Sequence, residues 1–221
     1  MFKQLLAVFL ESSCPFCHRS NATIICNYCQ QKLASEQLPR RDRLWRGDLP
    51  LFAWGRYDGQ LKQAIALLKY HQQPEIGRIL GNWLGKAWLH SSVSKPNKIT
   101  VIPIPLHRQK QRQRGFNQAE VIARGFCQQT GYRLQPQGLT RIRNTQAMFN
   151  LQNADARQNN IQNAFIIGKK FPSTPVLLLD DIYTTGTTVT EACQTLRRHN
   201  IKVIGVVVSA KAGWKQDLEG F

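Results

Sequence analysis

Val176 to Thr188 read VLLLDDIYTTGTT, and no other part of the chain gathers so much chemistry in so short a run. The aliphatic run Val176, Leu177, Leu178 and Leu179 predicts a buried strand ending in the adjacent carboxylates Asp180 and Asp181. Thr184, Thr185, Gly186, Thr187 and Thr188 form a hydroxyl-rich turn, and an amphipathic stretch after it predicts a helix. Backbone N–H groups and hydroxyls gathered at a helix N-terminus make an anion cradle. Gly186 lets the chain adopt positive φ or approach a ligand closely. A plain helix cap needs one Thr or Asp, not four threonines around a glycine. Carboxylates beside such a cradle would repel a phosphate unless they had other work, and sugar hydroxyls or a magnesium shell would supply it.

Over its whole length this segment resembles the ribose-phosphate motif of the type I phosphoribosyltransferases. The resemblance implies that Asp180 and Asp181 face the ribose 2- and 3-hydroxyls of phosphoribosyl pyrophosphate (PRPP), bound with Mg2+. It also implies that Thr184, Thr185, Gly186, Thr187 and Thr188 hold the 5-phosphate. Rival motifs fit less well. Gly81–Ala87 is one spacer short of a P-loop and lacks its Ser/Thr. Ile76, Ile79, Leu80, Trp83, Leu84 and Trp88 fall at helical spacing there, which predicts a packed helix. There is no G-x-G-x-x-G.

Cys14-Pro15-Phe16-Cys17 and Cys26-Asn27-Tyr28-Cys29 form a second constellation, C-x2-C…C-x2-C. Two such pairs can complete one tetrahedral metal shell, and a closed four-thiolate shell predicts structural Zn2+ with no open position for catalysis. Disulfides, unmetallated thiols and His18 as a substitute ligand are the alternatives. Zinc would contribute roughly 10–16 kcal/mol where a segment has too few apolar residues for its own core. Cys127 and Cys193 lie on helical patterns and read as buried thiols.

A chain of 221 residues accommodates one full domain plus a small module. The sequence divides into a four-cysteine module over 1–39, a basic linker over 40–50 with Arg40, Arg41, Arg43 and Arg46, and an α/β domain over 51–221. A net charge of +17 favours polyanionic partners: nucleic acid, phosphorylated metabolites or acidic membranes. The pI is near 10.1. The apolar stretch Leu5–Leu10 is too short for a signal segment and no small-residue cleavage site follows it. No membrane insertion and a cytoplasmic location with reduced thiols are therefore expected.

Several elements must position these groups. Asp58 is placed to cap a helix with Leu61, Ala64, Ile65 and Leu68 on one face, ending near Lys69-Tyr70-His71. A second helix is predicted from about Pro74 to His90. Ile99–Leu106 (ITVIPIPL) predicts a strand entering a rigid loop, because proline is excluded from a central strand. His107–Gln118, with recurrent cations and little apolar content, predicts an exposed loop before a helix capped by Asn117. Leu139–Arg143 predicts a short strand, Asn144–Asn163 a loop with a short helix, and Phe165–Ile167 an edge strand. Val176–Leu179, a helix over Val189–His199 and the strand Val203–Ser209 complete a βαβ unit.

PRPP carries phosphate at both ends and so needs two anion sites. Pro105, Arg108, Lys110, Arg112 and Arg114 lie on the segment after a strand end, where they could serve the pyrophosphate. The cysteine pairs, Tyr57–Lys69, the run VIPIPLHRQKQRQRGFNQA and the PRPP motif follow one another in a fixed order. Together they resemble the ComF/GntX family of competence-associated, phosphoribosyltransferase-like proteins over nearly the whole chain. Arg114-Gly115-Phe116-Asn117-Gln118 is the most specific piece besides the PRPP motif, and Lys69 matches a family lysine that the resemblance groups with the pyrophosphate residues. Arg143, Thr145, Arg157 and Asn160 fit a further family pattern, with Met148 standing where Gln is usual.

The resemblance implies a PRPP-binding protein of natural competence, with single-stranded DNA and uptake machinery such as a helicase as partners. Trp45, Trp54 and Tyr57 could offer stacking faces to such a strand, although such aromatics more often belong to a core. The alternative is an active phosphoribosyltransferase acting on a nitrogenous acceptor. No residue identifies that acceptor or a general base.

Overall fold

The computed structural model describes residues 12–42, 44–144, 163–168 and 172–213. Leu5–Leu10, Arg43, Thr145, Met148, Arg157 and Asn160 lie outside the described residues, as does most of the loop and short helix expected over Asn144–Asn163.

The chain opens with a small antiparallel pair, β1 (Ser12–Ser13) and β2 (Ser20–Asn21), followed by α1 (Asn27–Ala34). Next come β3 (Leu51–Arg56), α2 (Gly59–Tyr70), α3 (Pro74–Leu89) and β4 (Thr100–Pro103). α4 (Arg108–Arg114), α5 (Gln118–Thr130), β5 (Arg133–Leu134) and β6 (Leu139–Arg141) follow. The described chain ends with β7 (Phe165–Ile167), β8 (Val176–Tyr183), α6 (Thr187–Arg197) and β9 (Val203–Lys211). Five strands form one parallel sheet in the order β3-β9-β8-β4-β5.

The sheet is covered on both faces, as a parallel sheet must be. Side chains alternate along β8 with period two. Leu177 and Leu179 therefore join a core cluster with Leu61, Leu68, Leu80 and Ile122 of α2, α3 and α5. Val176 and Leu178 join another with Val189, Ala192 and Leu196 of α6 and with Leu139 and Phe165. Each such burial stabilises the fold by roughly 1.5–3 kcal/mol. The same alternation sends Asp181 toward the α2 layer and Asp180 toward the β6 layer.

Local chemistry sets the helix ends as the sequence predicts. Asp58 accepts from the Gly59 N–H at 2.8 Å at the start of α2. Asn117 accepts from the Ala119 N–H at 3.1 Å at the start of α5 and donates to the Ile104 carbonyl at 3.0 Å, tying that helix to the end of β4. The near-P-loop at Gly81 is a packed helix. A Cβ on Gly81 would lie 2.0 Å from the Ile122 carbonyl oxygen of α5, so this glycine serves helix contact rather than phosphate.

Four expectations change. β8 does not stop at Leu179: it runs through both acids to Tyr183, because β9 extends to Lys211 and keeps the ladder paired. Phe165–Ile167 is not an edge of the main sheet but pairs antiparallel with β6. Arg108–Arg114 is an exposed helix rather than a loop. Its Arg, Lys and Gln residues are good helix formers. The His107 ring accepts from the Gln109 N–H at 3.4 Å at its start. Gly115, at φ 79°, ends it. The absence of an apolar stripe concealed this helix. Finally, Trp54 is 2% exposed and stacks on Trp83 at 5.6 Å, while Trp45 packs edge-on against Trp88 at 5.0 Å. These rings are spent on the core, so Trp54 has no free face for a base.

Candidate functional site

Strand β4 connects outward to β5, while β8 connects the other way to β9, so the sheet order reverses between β4 and β8. Open α/β sheets bind ligands in the crevice at such a switch point, outside the carboxyl ends of the strands. A cavity of about 140 Å³ lies there. Its wall includes Asp180 and Asp181 from β8, Thr188 from α6, Lys69 from α2, Arg114 from α4 and Arg141 from β6. Pro105 also lines it, beside Asn117 and Gln118.

Each acid meets a cation from its own side of the sheet. Lys69 Nζ lies 2.6 Å from Asp181 Oδ2, and both side chains are largely buried. Burial disfavours the Lys69 ammonium, but the Asp181 carboxylate outweighs it and leaves the lysine pKa raised. Burial pushes the Asp180 carboxyl up to about 8, helped by the neighbouring Asp181 charge and opposed by the Asp181 N–H, Lys69 and Arg141. The Asp181 N–H donates to Asp180 Oδ1 at 2.9 Å. Arg141 is itself lowered by burial, with Asp180 acting against that.

The threonine turn is open. Gly186 is left-handed, at φ 79°, immediately before α6, and a Cβ there would lie 2.2 Å from the Tyr183 hydroxyl oxygen. Thr185 and Thr187 hydroxyls are 2.8 Å apart. No side chain caps the helix and its first turn holds no acid, which leaves first-turn N–H groups available to an anion. Of the predicted threonines, Thr188 reaches the cavity wall, whereas Thr184 and Thr185 are exposed.

Helical geometry sorts the four cations predicted around Pro105. Arg114 lines the acid-pair cavity, lies over the Tyr70 ring at 5.7 Å and donates to Gln118 Oε1 at 3.0 Å. Lys110, one turn earlier, is lowered by burial and then by the nearby charges of Arg141 and Arg114. Arg108 faces an adjoining larger cavity, and Arg112 is exposed. Sequence reasoning missed Arg141 as a site residue. Its signal was a cation two residues after apolar Leu139 in a short strand.

Away from this crevice, Cys14, Cys17, Cys26 and Cys29 bring their sulfurs within 4.8 Å of one another. Four thiolates on a tetrahedral ion at about 2.3 Å would stand roughly 3.8 Å apart, and Cys17 Sγ to Cys26 Sγ is 3.6 Å. All are free thiols. Burial raises the Cys14 thiol, but backbone N–H groups of Cys26, Phe16 and Cys17 and the Cys26 thiol bring it down to about 6. Cys29 is pushed up to about 12 by burial and then by hydrogen bonding from its neighbouring thiols. The donor set and spacing fit a metal ion such as zinc. Ile25 and Leu33 beside the cluster join the core shared with α2 and α3.

A parallel sheet with an acid pair and an open helix start at its switch point defines a phosphoribosyltransferase-like protein, and residues 154–219 match the profile described as phosphoribosyl transferase domain. The chain belongs to the ComF family of competence proteins. It is 30% identical over 163 residues to Competence protein F of Haemophilus influenzae, covering 72% of this chain and 71% of that protein. It is 27% identical over 204 residues to the DNA utilization protein YhgH of Escherichia coli O6:H1, covering 87% of each. Competence protein ComFC of Bacillus subtilis is 25% identical over 193 residues, 83% of this chain and 70% of that protein. Among the described residues no helix is long and apolar enough to cross a membrane.

Proposed function

We propose that this protein binds PRPP with magnesium in the acid-pair cavity and handles single-stranded DNA in the cytoplasm during natural competence, with structural zinc in the cysteine module. The observation that carries the PRPP reading is the meeting of Asp180, Asp181, Thr188 and Arg114 on one cavity. In this reading Asp180 and Asp181 take the ribose hydroxyls. The α6 amides with Thr184, Thr185, Gly186, Thr187 and Thr188 take the 5-phosphate. Arg114, Lys110 and the other cations of α4 take the pyrophosphate, and Lys69 holds Asp181 in place through their ion pair. Magnesium, when bound, neutralises phosphate charge.

The DNA reading rests on the competence and DNA-utilization names of the relatives and on the net charge of +17. Calorimetry tests the first part. PRPP with magnesium should bind the intact protein, and Asp181→Asn should weaken it while thermal unfolding stays cooperative. Unchanged affinity would remove the acid pair from the site. Oligonucleotide titrations across salt test the second part, since a slope of log K against log salt near zero would rule out phosphate-backbone binding.

Phosphoribosyl transfer is a second reading, favoured by the cations beside the acid pair. Breaking the C1–pyrophosphate bond builds positive charge on the sugar and negative charge on the leaving group, which Arg114 and Lys110 would stabilise. Pyrophosphate release on adding nitrogenous acceptors would support turnover. Silence with PRPP demonstrably bound would leave PRPP as a ligand.

A further inference from the structure

The larger cavity beside the acid pair, about 500 Å³ in volume, is not used by the PRPP reading beyond Arg108 and Pro105. That volume suits a drug-sized ligand. Its wall holds a Glu120–Arg124 ion pair and, beside it, two kinds of group free of carboxylate. Arg108, Arg133 and Arg141 supply guanidinium groups, which fit phosphate. Gln111, Gln135 and Gln137 supply carboxamides, each offering a donor and an acceptor to a base edge. Leu106, Leu134 and Pro136 add apolar wall of the sort a flat ring lies on. A site for a bare anion would need the arginines but not the carboxamides and apolar wall. Arg141 belongs to both cavities and shares its charge with Asp180.

Resting on the acid-pair cavity being the PRPP site, we infer that the larger cavity binds the base-plus-phosphate unit of a nucleotide and that Arg141 makes its occupancy and that of the acid-pair cavity mutually antagonistic. A phosphate in either cavity draws on the same guanidinium, so each ligand weakens the other. Linkage requires the two weakening factors to be equal. The unit could come from a free nucleotide or from a residue of a single strand, and the two sources share this chemistry.

The test titrates the full metal-loaded chain with thymidine 5′-monophosphate, a short thymidine oligonucleotide and inorganic phosphate, each with and without saturating PRPP. Arg133 and Gln137 are exposed and line the larger cavity but not the acid-pair cavity, so Arg133→Ala/Gln137→Ala should leave the fold intact. That variant should bind the monophosphate about tenfold more weakly and PRPP as before. PRPP should weaken nucleotide binding to the wild type several-fold, and the nucleotide should weaken PRPP equally. Oligonucleotide binding tighter than that of the monophosphate would mark a strand as the source, and the reverse a free nucleotide. The inference is overturned if the double variant binds nucleotide normally, if inorganic phosphate binds as well as the monophosphate, or if PRPP-bound protein takes nucleotide undiminished. Protein that binds nucleotide through Arg133 and Gln137 but does not bind PRPP would keep the nucleotide site and overturn the reading of the acid pair.

Discussion

The cysteine cluster and the acid-pair cavity both hold ionisable groups at close range, yet they solve opposite problems. The thiols come from one contiguous stretch, Cys14–Cys29, and are all of one kind. Protonated thiols can hydrogen-bond one another, but thiolates repel, and a metal ion would offset that repulsion. The acid pair instead draws cationic partners from α2 and β6, Lys69 on Asp181 and Arg141 toward Asp180. On the proposed function, the local cluster of like groups is a structural site and the non-local cluster of unlike groups is where a ligand exchanges partners with the protein.

That contrast is sharpest under metal removal. Chelation under reducing conditions should cost on the order of 10 kcal/mol locally. Hydrogen exchange should show α1 losing protection while β8 and β9 keep theirs. Equal loss in both regions would merge the two. Next in size, Lys69→Ala leaves Asp181 without its ion-pair partner and should destabilise the fold by about 3 kcal/mol, the low end for a buried pair. A second change, Asp181→Asn, should recover much of that in a double-mutant cycle, and additive losses would deny the coupling.

Gly186→Ala should cost about 1–3 kcal/mol and weaken PRPP binding, because it forces a Cβ against Tyr183 at a positive φ. Tyr183→Phe in that background should relieve part of the cost. A separate stability effect is the pH dependence of the acid pair. Asp180 has its folded pKa raised from 3.8 to about 8, so the folded state holds the proton more tightly than the unfolded chain. Its contribution to stability is full below about pH 4 and is lost as pH rises toward 8. Asp180→Asn should flatten that slope in denaturant titrations at pH 5, 7 and 9, and an unchanged slope would place the titration elsewhere. Among the α4 cations, Arg114→Ala should weaken PRPP binding several-fold while exposed Arg112→Ala changes it little.

What the sequence made legible follows the same division. The cysteine spacing, the caps at Asp58 and Asn117 and the apolar run of β8 are local signals, and local geometry answers them directly. The extension of β8 to Tyr183 depends on how far β9 runs alongside it, which no pattern within β8 carries. Arg108–Arg114 has no apolar stripe and so no helical period to read, although its residues favour helix. Arg141 reaches Asp180 only because β6 folds beside the switch point, a placement set by tertiary packing. Trp54 shows the converse: a stacking ring in the sequence becomes a core ring once α3 supplies Trp83.

A crystal structure with PRPP and magnesium tests the central claim most directly. The ribose hydroxyls should lie within hydrogen-bond distance of Asp180 and Asp181, with the 5-phosphate on the α6 N-terminus at Thr187 and Thr188. PRPP bound elsewhere, or in the cavity with its sugar turned away from both carboxylates, would contradict it.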